Sequence, residues 1–363
     1  MNDPIFAVIG AGNSGQTTAA HLKSLNQNVR LYNRSIEKLQ EIKQNNGIQV
    51  NNLITGRWMP DVITDDIKTA IEDADVIMIT TPASSHMDLA KACAPYLKED
   101  QIVILNPGRT FGALEFLNVA RNNGLKLDIT IAEAQTTLYT CRVLKNGEAD
   151  LLALKNNVWI GSIPARNISN VIEKIKHIYP QFQPVRNTLI TGLNNIGAIL
   201  HPTPTLFNIG WIEKPDTFFK YYYEAISPNV ASFLEKLDKE RLAVAEKFKI
   251  EKLSILDWLK MSYSVDADNL YDAIQRNEKY KTIDAPTTIH HRYLYEDIPT
   301  GLVPISSLGD MLNVDTSNSK IIINLASSIL NKDFYKVGRT LENLGLKDFD
   351  VDEIIHYIEH GRN

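Results

Sequence analysis

Cysteine is scarce: Cys93 and Cys141 are the only two in 363 residues. That is too few for a disulfide framework or a cysteine-rich metal site, so no metal is expected. Net positive charge is missing as well, since 38 Lys and Arg against 43 Asp and Glu leave −5. A nucleic-acid partner would normally impose a basic face, and none is expected here. No apolar run approaches the roughly 20 residues that cross a bilayer, so no membrane is expected. The first strand is expected to begin by Ile5, so no cleavable basic and apolar leader is expected. The expectation is a cytoplasmic protein with reduced thiols. Fixed-period repeats and low-complexity linkers are lacking too. What remains is an ordinary globular composition, 44% hydrophobic and 22% charged, on a chain long enough for two domains.

The informative stretch is "IFAVIGAGNSGQ", from Ile5. A continuously apolar run suits a strand buried on both faces. It meets Gly10, Gly12 and Gly15 at G-x-G-x-x-G spacing, and Ala19, Leu22 and Leu25 then follow at helical spacing. "NVRLYNR" reads as a second strand. In this frame Gly10 permits the tight turn, Gly12 admits the pyrophosphate, and Gly15 lets helix and strand approach. With Asn13 and Ser14 between them, these residues form the expected phosphate cradle at a helix N-terminus. The glycine pattern is weak alone and becomes specific within a strand–helix–strand unit.

The end of the second strand carries Asn33, Arg34 and Ser35 where an NAD-preferring site usually offers a carboxylate. An Arg pairs with a 2′-phosphate that a carboxylate would repel, so NADP is favoured, with NAD the alternative. The plain reading of Arg34 is a solvated side chain. "ADVIMITTP" and "QIVILNPG" read as further strands. Ligands of open α/β sheets bind beyond the carboxyl ends of strands, which makes Thr81, Pro82, Asn106 and Gly108 candidate walls for the ribose and nicotinamide. His86 is read as capping or packing the next helix. "ITIAEAQTTLYTCRVL" and "NNVWIGSIP" complete an α/β Rossmann domain over residues 1–184.

Residues 185–363 turn to helical periods in "TLITGLNNIGAIL", "NVASFLEKLDKERLAVAEKF", "SILDWLKMSY", "SKIIINLASSIL" and "VDEIIHYIEH". An all-α second domain would leave a cleft for substrate. His201 ends an apolar helix stopped by Pro202, and Asn194, seven residues earlier, falls on the same helical face. Such a His suits an acid/base, though alone it reads more simply as a core histidine. "HHRYLYEDIPTGLVPI" holds Arg292, Glu296 and Asp297 before a Pro-Thr-Gly turn. That run suits an anion clamp with an orienting carboxylate or, equally, a surface ion pair. His290 and His291 are read as surface. The aromatic run "FFKYYYEAISP" could wall a pocket or make a dimer contact; ordinary packing is the reading taken, and a homodimer stays open.

Taken in order, "GAGNSGQ", "TPASSH", "ILNPGRTFGALEF", "EAQTTLYTCR", "NNIGAILHPTPTLFNIGWIE", "RYLYEDIPTGLVPI" and "GRTLENLGL" resemble the opine dehydrogenase family over essentially the full length. The resemblance implies a Rossmann domain followed by a helical domain, with an active site between them. It implies a His–Asp pair at His201 and Asp297 as acid/base and partner. Arg292 would anchor a carboxylate, and Tyr139, Thr140, Cys141 and Asn194 would contact substrate. The implied reaction condenses an amino acid with a 2-oxo acid, pyruvate foremost, and reduces the imine with NAD(P)H. Cys141 would be a pocket wall, since hydride transfer needs no covalent intermediate. Members strict for NAD carry an acid where this chain has Asn33-Arg34, so their cofactor choice does not transfer. Two rivals are a ketone or 2-hydroxy-acid reductase, of the ketopantoate reductase or glycerol-3-phosphate dehydrogenase type, and a nicotinamide-binding sensor without turnover.

Overall fold

The computed structural model describes residues 4–362. Its chain divides into two compact units. One runs to Thr191 and includes the segment from Ile355 onward; the other is Gly192–Ile354. This division falls within the helix Thr188–Leu193, a few residues beyond the expected 184/185, and groups the segment from Ile355 with the first unit. Side chains distant in sequence make the difference. Thr191 donates to Glu133 at 2.6 Å, Arg121 donates to Tyr357 Oη at 3.1 Å, and Arg186 pairs with Glu359 at 2.8 Å.

Twelve strands lie among the described residues of the first unit: β1 (Ile5–Ile9), β2 (Asn28–Tyr32), β3 (Ile48–Asn52), β4 (Gly56–Trp58), β5 (Val62–Thr64), β6 (Val76–Ile79), β7 (Ile102–Leu105), β8 (Thr130–Ala134), β9 (Tyr139–Lys145), β10 (Glu148–Leu154), β11 (Val158–Ile163) and β12 (Phe182–Pro184). Eight form one sheet in the order β12-β11-β8-β7-β6-β1-β2-β5, parallel throughout except where β11 meets β8. The other four form a separate sheet, β4-β3-β10-β9. Buried Phe6, Val8, Val76, Met78, Ile102 and Ile104 build the core of the larger sheet, as continuous apolar strands require.

Register decides what these strands present. Ile9 pairs with Tyr32 and with Ile79, Ile79 with Leu105, and Leu105 with Glu133. The carboxyl ends are thus level, and the next residues, Gly10, Asn33, Thr80 and Asn106, share one edge where the strand order diverges from β1. That edge is where open α/β sheets bind ligands. The stretch "ITIAEAQTTLYTCRVL", expected to help complete the domain, forms two strands in two different sheets. It splits into β8, buried on both faces, and β9, which alternates and joins the smaller sheet. Tyr139 and Cys141 consequently turn toward the helix Asn13–Ser24.

The second unit is helical. Pro228–Lys247 is its longest element and packs against Leu270–Arg276, Val303–Leu312 and Ser317–Leu330. Leu234, Leu237, Val244, Ile305, Leu308 and Ile322 are fully buried among them. Within this apolar interior Arg241 and Asp238 form an ion pair at 2.6 Å. Arg241 also donates to the carbonyls of Leu193 (2.6 Å) and Leu253 (2.5 Å). Asp238 accepts from Ile255 N at 2.8 Å. A buried pair is tolerable when its remaining donors and acceptors are satisfied in this way, whereas removing one partner costs about 3–5 kcal/mol. The network ties the chain at Leu193 to the loop before Ile255.

The turn after β1 depends on Gly15 most sharply. A methyl group there would lie 1.7 Å from the carbonyl oxygen of Gly10, a backbone atom with no side-chain freedom to move aside. Gly15→Ala should therefore destabilise the fold by at least the ~1–3 kcal/mol typical of overpacking, with nucleotide binding lost in parallel. Thermal unfolding of the variant tests this, and an unchanged midpoint would contradict it.

Candidate active site

His201 sits at a joint the sequence makes unavoidable. Proline has no N–H and disfavours a helical predecessor, so the helix Gly197–Leu200 ends and Pro202 opens the next, Pro202–Phe207. The His201 carbonyl accepts the helical N–H of Thr205 (3.4 Å) and also the hydroxyls of Tyr221 (2.5 Å) and Thr205 (2.8 Å). Its backbone is thereby held while its side chain keeps 13% exposure.

Asp297 approaches from the segment Arg292–Leu302. The expected Pro-Thr-Gly turn is instead a π-helical turn, Ile298–Leu302, entered from the short helix Arg292–Tyr295. Pro299 cannot donate, and Leu302 N reaches back to Asp297 O at 3.2 Å. Single π turns of this kind often occur at functional sites. Gly301 lets it lie close to the helix bearing His201, because a Cβ at that position would come 2.5 Å from Ala198 Cβ. The approach brings Asp297 Oδ2 to 2.8 Å from His201 Nδ1. Asp297 has no exposed surface.

Aromatic rings enclose the pair. Tyr293 stacks on the imidazole at 4.2 Å between centroids, and Tyr221 packs on Tyr293 at 4.9 Å. Tyr222 Oη lies 3.2 Å from His201 Nε2, and its ring stacks on Tyr280 at 4.0 Å. Burial pushes the Tyr221 and Tyr222 phenols well above their ordinary range, so both stay protonated. Tyr221 and Tyr222 of "FFKYYYEAISP" pack in the interior as expected, and their hydroxyls in addition touch His201 itself. The available signal was three successive tyrosines, whose polar tips need partners when buried.

Other expected residues are placed differently. The helix expected to align Asn194 with His201 breaks between Leu193 and Gly197. Asn194 Oδ1 accepts from Leu253 N (2.8 Å) and Arg241 (3.3 Å), while its amide donates to Glu251 O at 3.0 Å. These bonds clamp the chain at Asn194 to the segment before Ile255. Tyr139 is buried, with its hydroxyl bonded to Tyr179 Oη (2.9 Å) and His21 Nδ1 (3.0 Å). Thr140 is exposed on the opposite side of β9. Cys141 lies against Ser14 and Thr17 on the glycine-loop helix; burial raises its thiol, in keeping with a wall and not a nucleophile. Cys93 is pushed up to about 12 by burial.

Arg292 is 49% exposed, 3.7 Å from Glu296 and 5.1 Å over the Tyr293 ring that stacks on His201. The ion pair is longer than a hydrogen bond. His290 is exposed, as expected. His291 is half-buried, caps the Arg292 helix and meets Tyr293 edge-on at 4.4 Å. His86 is buried at the start of His86–Cys93, matching its packing role.

At the sheet edge, the residues present fit a dinucleotide. A Cβ at Gly12 would meet nothing within 4 Å, so that loop is open to a ligand. Asn106 Nδ2 and Thr81 Oγ1 are buried polar atoms without a hydrogen-bond partner among the described residues. Asn13 Oδ1 accepts from Val143 N at 2.9 Å, bracing the helix start. Asn33 braces the loop: its Oδ1 accepts from Ala11 N and its amide donates to Ser35 O, both at 3.0 Å. Ser35 donates to Glu37 at 2.6 Å, while Arg34 is exposed. Gly108 serves packing, since a Cβ there would lie 2.4 Å from Glu133 Cβ. Pro82 is exposed at the same edge. Among the described residues no three His, Cys, Asp or Glu side chains cluster as a metal site, and no helix is long and apolar enough to cross a membrane.

The carboxylate of Asp297 stabilises the protonated imidazole, so Asp297→Asn should move the titration of His201 to lower pH. It should also disturb the tautomer, because an amide can donate toward Nδ1. Imidazole NMR across pH measures both, and an unmoved titration would show the pair to be electrically uncoupled.

Comparison with known proteins gives the family and the fold. The family described as NAD/NADP octopine/nopaline dehydrogenase, alpha-helical domain, matches residues 184–330, and that of the NAD-dependent glycerol-3-phosphate dehydrogenase N-terminus matches residues 5–108. Opine dehydrogenase of Arthrobacter sp. (strain 1C) is 40% identical over 355 residues, covering 98% of each chain. Among solved structures, octopine dehydrogenase in complex with NADH and agmatine superposes with a TM-score of 0.81 at 20% identity, covering 99% of this chain and 98% of that one. Yersinopine dehydrogenase with NADP+ bound gives 0.78 at 16% identity, covering 98% of each. A level-ended parallel sheet behind a glycine loop, a helical unit carrying a His–Asp pair, and near-complete coverage by a 40%-identical relative lead to one conclusion: the chain belongs to the opine dehydrogenase family, NAD(P)-dependent oxidoreductases acting on CH–NH donors.

Proposed function

We propose that this enzyme joins the amine of an amino acid to the carbonyl of a 2-oxo acid, with pyruvate as the favoured acceptor and NADPH as the favoured reductant. The observation that carries the reading is the His201–Asp297 pair, at 2.8 Å with the carboxylate buried. Condensation needs a group that takes a proton from an ammonium and returns one to departing water near neutral pH, which suits an imidazole held by a carboxylate. Solved octopine dehydrogenases that hold NADH with L-arginine or with pyruvate support the choice of substrates.

In this reading the loop at Gly10, Gly12 and Gly15, with Asn13 and Ser14, holds the pyrophosphate at the helix N-terminus. Asn106 and Thr81 offer their buried polar atoms to the nicotinamide end. Arg34 faces the 2′-phosphate. When bound, the nicotinamide supplies the hydride that reduces the imine. Asp297 keeps the proton on Nδ1 and leaves Nε2 for exchange. Arg292 grips the 2-oxo acid carboxylate through its planar fork. Amino-acid and 2-oxo-acid substrates are the proposed partners, in one chain or a homodimer.

NADPH absorbance with pyruvate, oxaloacetate or 2-oxoglutarate, each with and without a panel of amino acids, tests the reading. Oxidation is expected only when both substrates are present. Oxidation with a 2-oxo acid alone would favour a 2-hydroxy-acid reductase, and nucleotide binding with no turnover in any mixture would favour a sensor.

Two substitutions separate the parts. Arg34→Asp should shift preference toward NADH, as judged by the ratio of kcat/KM values, and an unchanged ratio would return Arg34 to a solvated role. Arg292→Lys should raise the 2-oxo acid KM by roughly tenfold or more, for a lost charge-assisted bond of about 1.5 kcal/mol, while the KM for NADPH holds. An unchanged 2-oxo acid KM would leave Arg292 as an exposed ion pair.

A further inference from the structure

The imidazole nitrogen that must exchange protons already has a neighbour. With Nδ1–H donating to Asp297, neutral His201 has only a lone pair at Nε2, and Tyr222 Oη lies 3.2 Å away. The phenol must therefore be the donor. Its ring is fixed by stacking on Tyr280, 4.0 Å between centroids and 15° from parallel, and Tyr280 in turn meets Tyr263 edge-on at 5.5 Å. Tyr222 itself is 6% exposed. A substrate reaching Nε2 directly would have to push this ring out of a packed aromatic stack. Passing a proton through the hydroxyl requires only that hydrogens shift.

We propose that Tyr222 is a second catalytic residue, relaying protons between the substrate and His201 Nε2; this rests on the condensation reading above. In the first step the substrate ammonium gives a proton to Tyr222 Oη as the phenol's own proton moves to Nε2. The product is a free amine and an imidazolium paired with Asp297. The amine then bonds to the 2-oxo acid carbonyl carbon, and a shift of one proton from nitrogen to oxygen within the adduct gives a carbinolamine. In the second step the Nε2 proton returns to Oη while the phenol's proton passes to the carbinolamine hydroxyl. The C–O bond breaks, water leaves and the iminium forms. One proton enters the relay and one leaves it, and the phenol is neutral before and after each step.

That neutrality matches its surroundings. Burial first, then Tyr293, Tyr263 and Asp297, hold the phenol well above its ordinary range, with Arg292 opposing. Among the described residues, the groups facing His201 include Asp297, Tyr222, Tyr221 and Tyr293, with His291, Arg292 and Glu296 around Tyr293. Asp297 already bonds to Nδ1, and Tyr221 bonds to the His201 carbonyl, so the contact on Nε2 falls to Tyr222.

Tyr222→Phe keeps the ring and its stack while removing the hydroxyl. The expected result is a fall in kcat of about 100-fold, the lower end of what general acid–base catalysis contributes, with thermal midpoint and NADPH affinity near native. In 15N-histidine-labelled protein the His201 Nε2 resonance should also move, whether or not the enzyme is turning over. In mixed H2O and D2O the native rate should depend on deuterium content with the curvature of two protons in flight, and the variant should lose that curvature. A variant with kcat within about threefold of native, an unmoved Nε2 resonance, or a linear dependence in the native enzyme would each overturn the relay. The native measurement needs no variant, so the proposal remains testable if Tyr222→Phe does not fold. Native protein inactive with every amine and 2-oxo acid mixture would instead overturn the condensation reading, while the resonance would still report the Tyr222 contact.

Discussion

A carboxylate with no exposed surface, bonded at 2.8 Å to an imidazole, is the constraint on which the helical unit is organised. Removing a charge from water is costly, and the structure supports it only where partners are held in place. Asp297 is held by a π turn, and the turn lies against the His201 helix because Gly301 has no side chain to meet Ala198. On the other side, Pro202 ends one helix and starts the next, and two hydroxyls secure the His201 carbonyl. One imidazole nitrogen is committed to the acid, and in the proposed reaction the other exchanges protons.

The two units differ in how far the sequence discloses them. Gly10, Gly12 and Gly15 answer to steric requirements that act within a few residues, so a strand, a turn and a helix could be read together. The α/β Rossmann and helical assignment follows the same local logic. Asn33 shows the limit. Its position at the end of β2 was readable, but its side chain bonds to Ala11 and Ser35. Which neighbour claims an amide is decided by tertiary placement, and no spacing rule contains it.

The same limit governs the catalytic half. His201 and Asp297 stand 96 positions apart, and only the family resemblance joined them; periodicity alone left His201 as a core histidine. Helical spacing put Asn194 on its face, yet the chain breaks at Leu193, where Arg241 takes the carbonyl. Tyr139 sat in a motif associated with substrate, and a strand switch between sheets turned it to His21 and Tyr179. Tyr222 was hidden in the opposite way, since an aromatic run gives no sign of which ring will have a polar task.

The central claim is that hydride reaches a carbon already bonded to nitrogen, with the His201–Asp297 pair serving the condensation. Reduced nicotinamide deuterated at its transferable position, incubated with pyruvate and an amino acid, tests this most directly. The account predicts a secondary amine carrying both carboxylates, with one deuterium on the former carbonyl carbon, as read by mass spectrometry and NMR. Deuterium found in lactate, with the amino acid recovered unchanged, would contradict it.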